Sequence, residues 1–169
     1  DWKGAVPEAE NTAAVSEGEY IWKDAAGDDA GNGKYVYPQN KALKKGGDLK
    51  EFRVTFDSEN LYFLIKTDRP GDWWVPYRII GIDTDGASGG KNGSQVLAQG
   101  DMDEYAFDSG CFAELKVSPE LACDYVVAVS STYKGRIWDA KGKMIARKEA
   151  QPDDTAGFKI EDYNWNAVE

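Results

Sequence analysis

The residues with the clearest potential for chemistry lie in one polar loop, residues 22–38. Between a Trp and a Tyr-x-Tyr-Pro sequence, the loop carries three aspartates, one asparagine and three glycines: Asp24, Asp28, Asp29, Asn32, Gly27, Gly31 and Gly33. Hard cations such as Ca²⁺ need several oxygen ligands on a tightly turning backbone, and Asp, Asn and Gly supply both. The pattern predicts a calcium loop, and a polar loop that binds no ion is the alternative.

The spacing of these residues excludes an EF-hand. If Asp28 is the first position of such a loop, Gly33 stands correctly at the sixth, but the twelfth is Gln39 instead of the required Glu. A second acidic fragment, Asp83-Thr84-Asp85-Gly86, offers fewer ligands because Ala87 stands at its fifth position.

Adjacent tryptophans suggest a binding surface. Trp73 and Trp74 follow Pro70-Gly71-Asp72, and neighbours on an extended chain point to opposite sides, so one ring is expected outside the core. Exposed rings are surfaces on which sugar rings stack. Tyr77 belongs to the same candidate platform, and Trp138 is a further candidate. For each ring, a place in the core is the alternative.

Composition excludes several classes of function. A net charge of −10 and a pI near 4.6 argue against nucleic acid and anionic membranes as partners, and no apolar run is long enough to span a bilayer. The chain has no His, which removes His-dependent nucleophiles and His metal or haem sites. The acids Asp101, Asp103 and Glu104 are clustered on one loop, whereas a glycosidase needs two carboxyls across a cleft. We therefore expect a protein that is not an enzyme.

Two cysteines, Cys111 and Cys123, are the whole cysteine content. In a secreted protein they would close one disulfide, and in a cytosolic protein they would be small buried side chains. The composition, rich in Tyr, Trp and Gly, favours an extracellular protein and hence the disulfide.

The sequence pattern predicts that the elements that position these residues are strands. Apolar residues alternate on both sides of the polar turn 57–60, which predicts a β-hairpin. Further strands are expected at 77–83, 112–117, 125–131, 136–138 and 144–147. Short strands at this spacing predict an all-β antiparallel sandwich of jelly-roll or immunoglobulin-like type, with long loops and little helix. The length predicts one domain over residues 1–148, followed by a polar extension, 149–169, that forms a last strand or a linker.

Four stretches of the chain form one pattern in order: the loop Trp22-x-Asp24-x-x-Gly27-Asp28-Asp29-x-Gly31-x-Gly33-x-Tyr35-x-Tyr37-Pro38, then Gly47-Asp48-Leu49-x-x-Phe52-x-Val54, Asn60-x-Tyr62-Phe63-x-Ile65 and Ile82-Asp83-Thr84-Asp85. Together they resemble the glucodextranase C-terminal domain, a module similar to family 9 carbohydrate-binding modules and DOMON domains. The resemblance implies an extracellular β-sandwich, usually with calcium, that binds or anchors and does not catalyse. Haem-binding DOMON relatives use a His ligand, which this chain lacks.

For the metal, the resemblance implies Asp24, Asp28 and Asp29 as ligands, with backbone carbonyls near Asn32 and with Asp48 as a later ligand. The alternative for Asp24 and Asp48 is a purely structural role in capping turns.

Two functions of different class follow. The first is a calcium-stabilised carbohydrate-binding module for α-glucan or a related polysaccharide, and the second is a surface-layer or matrix domain that binds protein and holds calcium structurally. An exposed aromatic row on a sheet face favours sugar, whereas a broad apolar patch or an unpaired edge strand favours protein.

Overall fold

The computed structural model describes residues 2–28, 48–67, 77–84, 122–130, 135–148 and 167–168. These residues form nine strands: β1 (Thr12–Ser16), β2 (Glu19–Lys23), β3 (Leu49–Phe56), β4 (Leu61–Thr67), β5 (Tyr77–Ile82), β6 (Tyr125–Ser130), β7 (Gly135–Asp139), β8 (Met144–Lys148) and β9 (Ala167–Val168). Among the described residues there is no helix, and the predicted all-β class is confirmed. The predicted strand at 112–117 lies outside the described residues.

The strands form two antiparallel sheets. One sheet has five strands in the order β1-β2-β3-β4-β9, and the other has four in the order β5-β6-β7-β8. Two antiparallel sheets agree with the predicted sandwich class. The chain divides into two compact units, residues 1–76 with 160–169, and residues 77–159. Each unit contains one sheet.

Hairpins account for most of the connections described. The predicted hairpin is confirmed: β3 and β4 pair from Leu49↔Thr67 to Phe56↔Leu61 around the turn at 57–60. The sequence analysis missed the hairpin of β1 and β2, which pair around Glu17 and Gly18. Both turn residues have positive φ, 53° and 80°, as a two-residue type I′ hairpin requires.

The five-stranded sheet has two chemically different faces, because cross-strand partners share a face and neighbours along a strand do not. We call one the polar face; its residues are Glu19, Ile21, Lys23, Glu51, Arg53, Leu64 and Lys66. The opposite, aromatic face carries Tyr20, Trp22, Phe52, Val54, Phe63 and Ile65. The rings of Phe52 and Phe63 stack on this face with centroids 6.0 Å apart.

The buried cluster of the four-stranded sheet lies on one of its faces, and Val127 and Val129 on the opposite face are buried as well. Val126 pairs with Trp138, and Ala128 is in register with Ile79 and Arg136. The buried cluster consists of Cys123, Val126, Ala128 and Trp138, with Ile79 and Met144 packed against it.

Candidate functional site

The part of the predicted metal loop that the structure describes is the turn after β2. The Asp24 N–H donates to the Lys50 carbonyl at 3.0 Å, which keeps the turn beside the start of β3. The Asp24 carboxylate accepts a hydrogen bond from Trp22 Nε1 at 3.0 Å. The turn reaches Gly27 at a φ of 83°, a conformation that suits glycine.

Asp48 is the buried carboxylate at this turn. It stands immediately before β3, is 1% exposed, and accepts the Gly27 N–H with both oxygens, at 3.1 and 2.9 Å. This contact joins two parts of the chain 21 residues apart. The structure therefore brings Asp24 and Asp48 to the same turn, and each also has a structural role there.

Of the other predicted ligands, Asp28 is the one that the structure describes. Asp28 is exposed, while Asp29 and Asn32 lie outside the described residues. Among the residues that are described, no group of three or more acidic or sulfur ligands converges on one point. The calcium site therefore remains a prediction. Among the described residues, Asp24 and Asp48 are the two predicted ligands that lie at the same turn.

The predicted sugar platform is described in part. Trp73 and Trp74 lie outside the described residues, and Tyr77 is described as the first backbone position of β5. Trp138 is 1% exposed in the core of its sheet, so it offers no ring face to a sugar. The alternative role weighed for this ring, packing in the core, is the one that the structure gives it.

Cys123 is buried, and burial, followed by the charges of Asp83 and Asp124, raises the pKa of its thiol. Cys111 lies outside the described residues. The structure gives no support to the predicted disulfide, which remains a prediction.

The second acidic fragment is organised by a residue that the sequence analysis did not single out. The Asp124 carboxylate accepts hydrogen bonds from the Thr84 hydroxyl at 2.5 Å and the Thr84 N–H at 2.8 Å. These two hydrogen bonds lower the pKa of Asp124. Asp85 and the acids at 101–104 lie outside the described residues.

Sequence reasoning also missed an ion-pair network on the polar face. Arg53 donates to Glu19 at 2.7 Å and pairs with Glu51, and Glu51 also lies 3.0 Å from Lys66 Nζ. Glu19, Glu51 and Arg53 are all buried. The available signal was the even spacing of charged residues, at Glu19 and Lys23 and at Glu51 and Arg53, which places each pair on one strand face. To use it, β2 had to be recognised as a strand.

This network holds the segment that precedes β1. One Glu19 oxygen accepts the N–H groups of Lys3 and Gly4, at 2.6 and 3.0 Å, and Arg53 donates to the Gly4 carbonyl at 2.9 Å. A Cβ at Gly4 would lie 2.6 Å from the side chain of Ile21. The backbone at Gly4 therefore approaches the sheet as closely as only glycine permits.

A family model described as the C-terminal binding-module, SLH-like, of glucodextranase matches residues 20–79, from the start of β2 to the first half of β5. This match confirms the predicted resemblance for that stretch. The matching family is a binding module and not a catalytic domain, in agreement with the expectation that the chain is not an enzyme.

No curated protein and no solved structure matches the chain. In the described part of the chain, no helical segment has the length and apolar character needed to cross a bilayer.

Proposed function

We propose that this protein is an extracellular, calcium-stabilised carbohydrate-binding module for α-glucan or a related polysaccharide. The observation that carries the proposal is the match of residues 20–79 to the binding module of glucodextranase. The enzyme named in that description supports a glucan as the ligand. A half-buried aromatic row on the five-stranded sheet, formed by Trp22, Phe52 and Phe63, adds support, because aromatic side chains are suited to stacking on sugar rings.

Calcium is the second part of the proposal, and Asp48 supports it best. A carboxylate that is withdrawn from water is stabilised by a cation or by several donors. Asp48 has the Gly27 N–H as a donor, and no salt bridge to it is found among the described residues. In the proposed site, Asp48 and Asp24 hold Ca²⁺ together with Asp28, Asp29 and carbonyls near Asn32.

The sugar platform is proposed at Trp73, Trp74 and Tyr77, with the exposed ring of the tryptophan pair stacking on a sugar. Trp138 is no longer part of the platform because it is buried.

A surface-layer or matrix domain that binds protein is the alternative. The words SLH-like in the family description support a cell-surface setting. Among the described residues, β1 is the edge strand of its sheet, which favours a protein partner in addition.

Titration of the Trp fluorescence with α-glucan oligosaccharides tests the sugar proposal. We expect quenching on binding, and we expect one of Trp73→Ala and Trp74→Ala to weaken binding by about 1–3 kcal/mol without loss of stability, on the scale of burying a large side chain. The other variant should lower the stability instead. Absence of quenching with every glucan, with both variants behaving as wild type, would favour the alternative function.

Thermal unfolding with Ca²⁺ and with EDTA tests the proposed calcium site. A ligand that binds the folded state alone, at a hundredfold excess over Kd, adds about 2.7 kcal/mol, so EDTA should lower the melting temperature by several degrees. Asp28→Ala should remove this response, whereas Glu59→Ala, an exposed acid outside the loop, should keep it. Melting that ignores both Ca²⁺ and EDTA would contradict the metal site while leaving the sugar proposal standing.

A further inference from the structure

The outer side of β1 exposes backbone groups that another strand can use. β1 is the edge strand of the five-stranded sheet, and its strand partner in the described part of the chain is β2. Its sequence, Thr-Ala-Ala-Val-Ser, has none of the charged residues or prolines that commonly protect sheet edges.

The register shows which backbone groups point outward. Ser16 and Glu19 flank the two-residue turn and therefore form a hydrogen-bonded pair. Because hydrogen-bonded and non-hydrogen-bonded pairs alternate, Ala13 and Val15 direct their N–H and C=O groups away from β2.

Beside this edge lies an exposed apolar surface, which we call the tip patch. Its members are Val15, Tyr20, Phe56 and Leu61, which are 79, 44, 75 and 46% exposed. Val15 pairs with Tyr20 and Phe56 pairs with Leu61, and the turns of both hairpins lie at the same end of the sheet. The four side chains thus share one end of the aromatic face. Contiguous exposed apolar surface of this kind marks interaction sites.

The rim of the tip patch is acidic. The two turns carry Glu17, Asp57 and Glu59, and no Lys or Arg occurs in residues 16–20 or 55–62. Asp57 accepts the N–H groups of Glu59 and Asn60 at 2.8 Å and the Tyr62 hydroxyl at 2.8 Å. Its hydrogen-bonding capacity is thus used within the turn, while its negative charge still attracts a cationic partner.

We propose that the β1 edge and the tip patch together dock an extended segment of a partner polypeptide with apolar and Lys or Arg side chains. The segment adds a strand to the sheet next to β1, and its backbone pairs with Ala13 and Val15. Its apolar side chains contact the near side of the tip patch, Val15 and Tyr20, and its basic side chains lie near Glu17 in the β1–β2 turn. A glycan has no regular ladder of amide groups to match this edge. A second copy carries the same net charge of −10, which opposes its docking here. This proposal does not depend on glycan binding.

The test uses a capped, fluorescein-labelled peptide in which lysine and valine alternate, with fluorescence anisotropy as the readout. Ala13→Pro should lower the affinity about tenfold, because it removes an outward N–H and leaves the ladder to β2 in place. Ala13→Ser keeps that N–H and should bind as wild type. Val15→Thr should weaken binding severalfold, because Val15 is the tip-patch residue next to the added strand, whereas Ile145→Thr, at an exposed position of β8, should not.

Three results would overturn the proposal. The first is loss of the dependence on backbone pairing: a control peptide with proline at its central valine binds as tightly as the original peptide, or Ala13→Pro binds the original peptide as wild type does. Either outcome means that the peptide is attracted by charge alone. The second is self-association in sedimentation experiments that Ala13→Pro abolishes, which makes a second copy the occupant. The third is competition by α-glucan, which places the glycan on this surface. If circular dichroism shows that Ala13→Pro is misfolded, equal binding by Val15→Thr and Ile145→Thr overturns the proposal instead.

Discussion

Among single residues, Glu19 links the segment that precedes β1 to Arg53 on the polar face. Burial alone acts to raise its pKa, but hydrogen bonds from Arg53 and from the N–H groups of Gly4 and Lys3 outweigh burial and leave the pKa lowered. Against the effect of its own burial, hydrogen bonds to Glu19 and Glu51, and the charges of those two carboxylates, raise the pKa of Arg53. The pair is therefore charged in the folded protein, where both partners are satisfied by hydrogen bonds.

Glu19→Gln should destabilise the protein by about 1–3 kcal/mol at neutral pH, because it weakens a buried, charged hydrogen bond to Arg53. The folded-state pKa of Glu19 lies below its ordinary value of 4.5, so its charge stabilises the fold above that value. This contribution disappears as the pH falls through the lowered folded-state pKa. The difference in free energy of unfolding between wild type and Glu19→Gln should therefore become smaller below pH 4.5. Urea unfolding at a series of pH values measures it.

Glu10→Gln is the matched control, because Glu10 is exposed. It should change stability little at any pH. A gap for Glu19→Gln that stays constant into acid would contradict the assignment of the effect to the charge of Glu19.

Burial also explains why the roles of some single residues could not be predicted from the sequence. Alternation along β7 indicates that Trp138 and Arg136 share a face, but not that this face is the core, so Trp138 was expected as a platform. Asp48 and Asp28 are both aspartates next to a Gly-rich loop, yet Asp48 is buried against Gly27 and Asp28 is exposed. Such differences arise from contacts between distant parts of the chain, which spacing does not reveal.

At the scale of elements, the β1–β2 turn carries a local conflict. Glu17 adopts a φ of 53°, a left-handed conformation that disfavours most side chains and that Asn tolerates. Its neighbour, Gly18, adopts the second positive φ of the turn without penalty. The turn is therefore specified by Gly18 and strained at Glu17.

Glu17→Asn should stabilise the protein by a few tenths to about 1 kcal/mol, because Asn-Gly is the preferred pair for this type of turn. Thermal unfolding measures the gain. Glu17→Gln removes the same charge but keeps the unfavourable backbone preference, so it should give no comparable gain. Equal stabilisation by both variants would attribute the effect to charge and not to the turn.

The two hairpins, β3–β4 and β1–β2, show where prediction from the sequence succeeded and where it failed. β3 and β4 were predicted because large apolar residues alternate on both sides of a polar turn. β1 was missed because its residues are small, with two of the five exposed and none buried, as in an edge strand. β2 does alternate, but its Trp22 was attributed to the flank of the metal loop. An edge strand draws its stability from its neighbour and leaves a weak pattern of its own.

For the whole molecule, the C-terminal residues raise the question of where the first unit ends. Residues 160–169 cluster with residues 1–76, and β9 pairs with β4 through Ile65↔Val168 and Lys66↔Ala167. The sequence predicted a domain that ends at residue 148, with the remainder as a last strand or a linker. In the structure, the chain passes through the second unit, 77–159, before it returns to this strand position.

Deletion of residues 160–169 should expose the outer edge of β4 and destabilise the first unit by about 1–2 kcal/mol, the scale of two cross-strand pairs with their hydrogen bonds. Hydrogen exchange followed by mass spectrometry should show faster exchange in Leu61–Thr67 and unchanged exchange in Tyr125–Ser130, which lies in the other unit. A chain that lacks Glu169 alone keeps β9 and is the control. If exchange in β4 is the same in both chains, residues 160–169 are an extension that contributes nothing to the first unit, and the domain boundary predicted from the sequence holds.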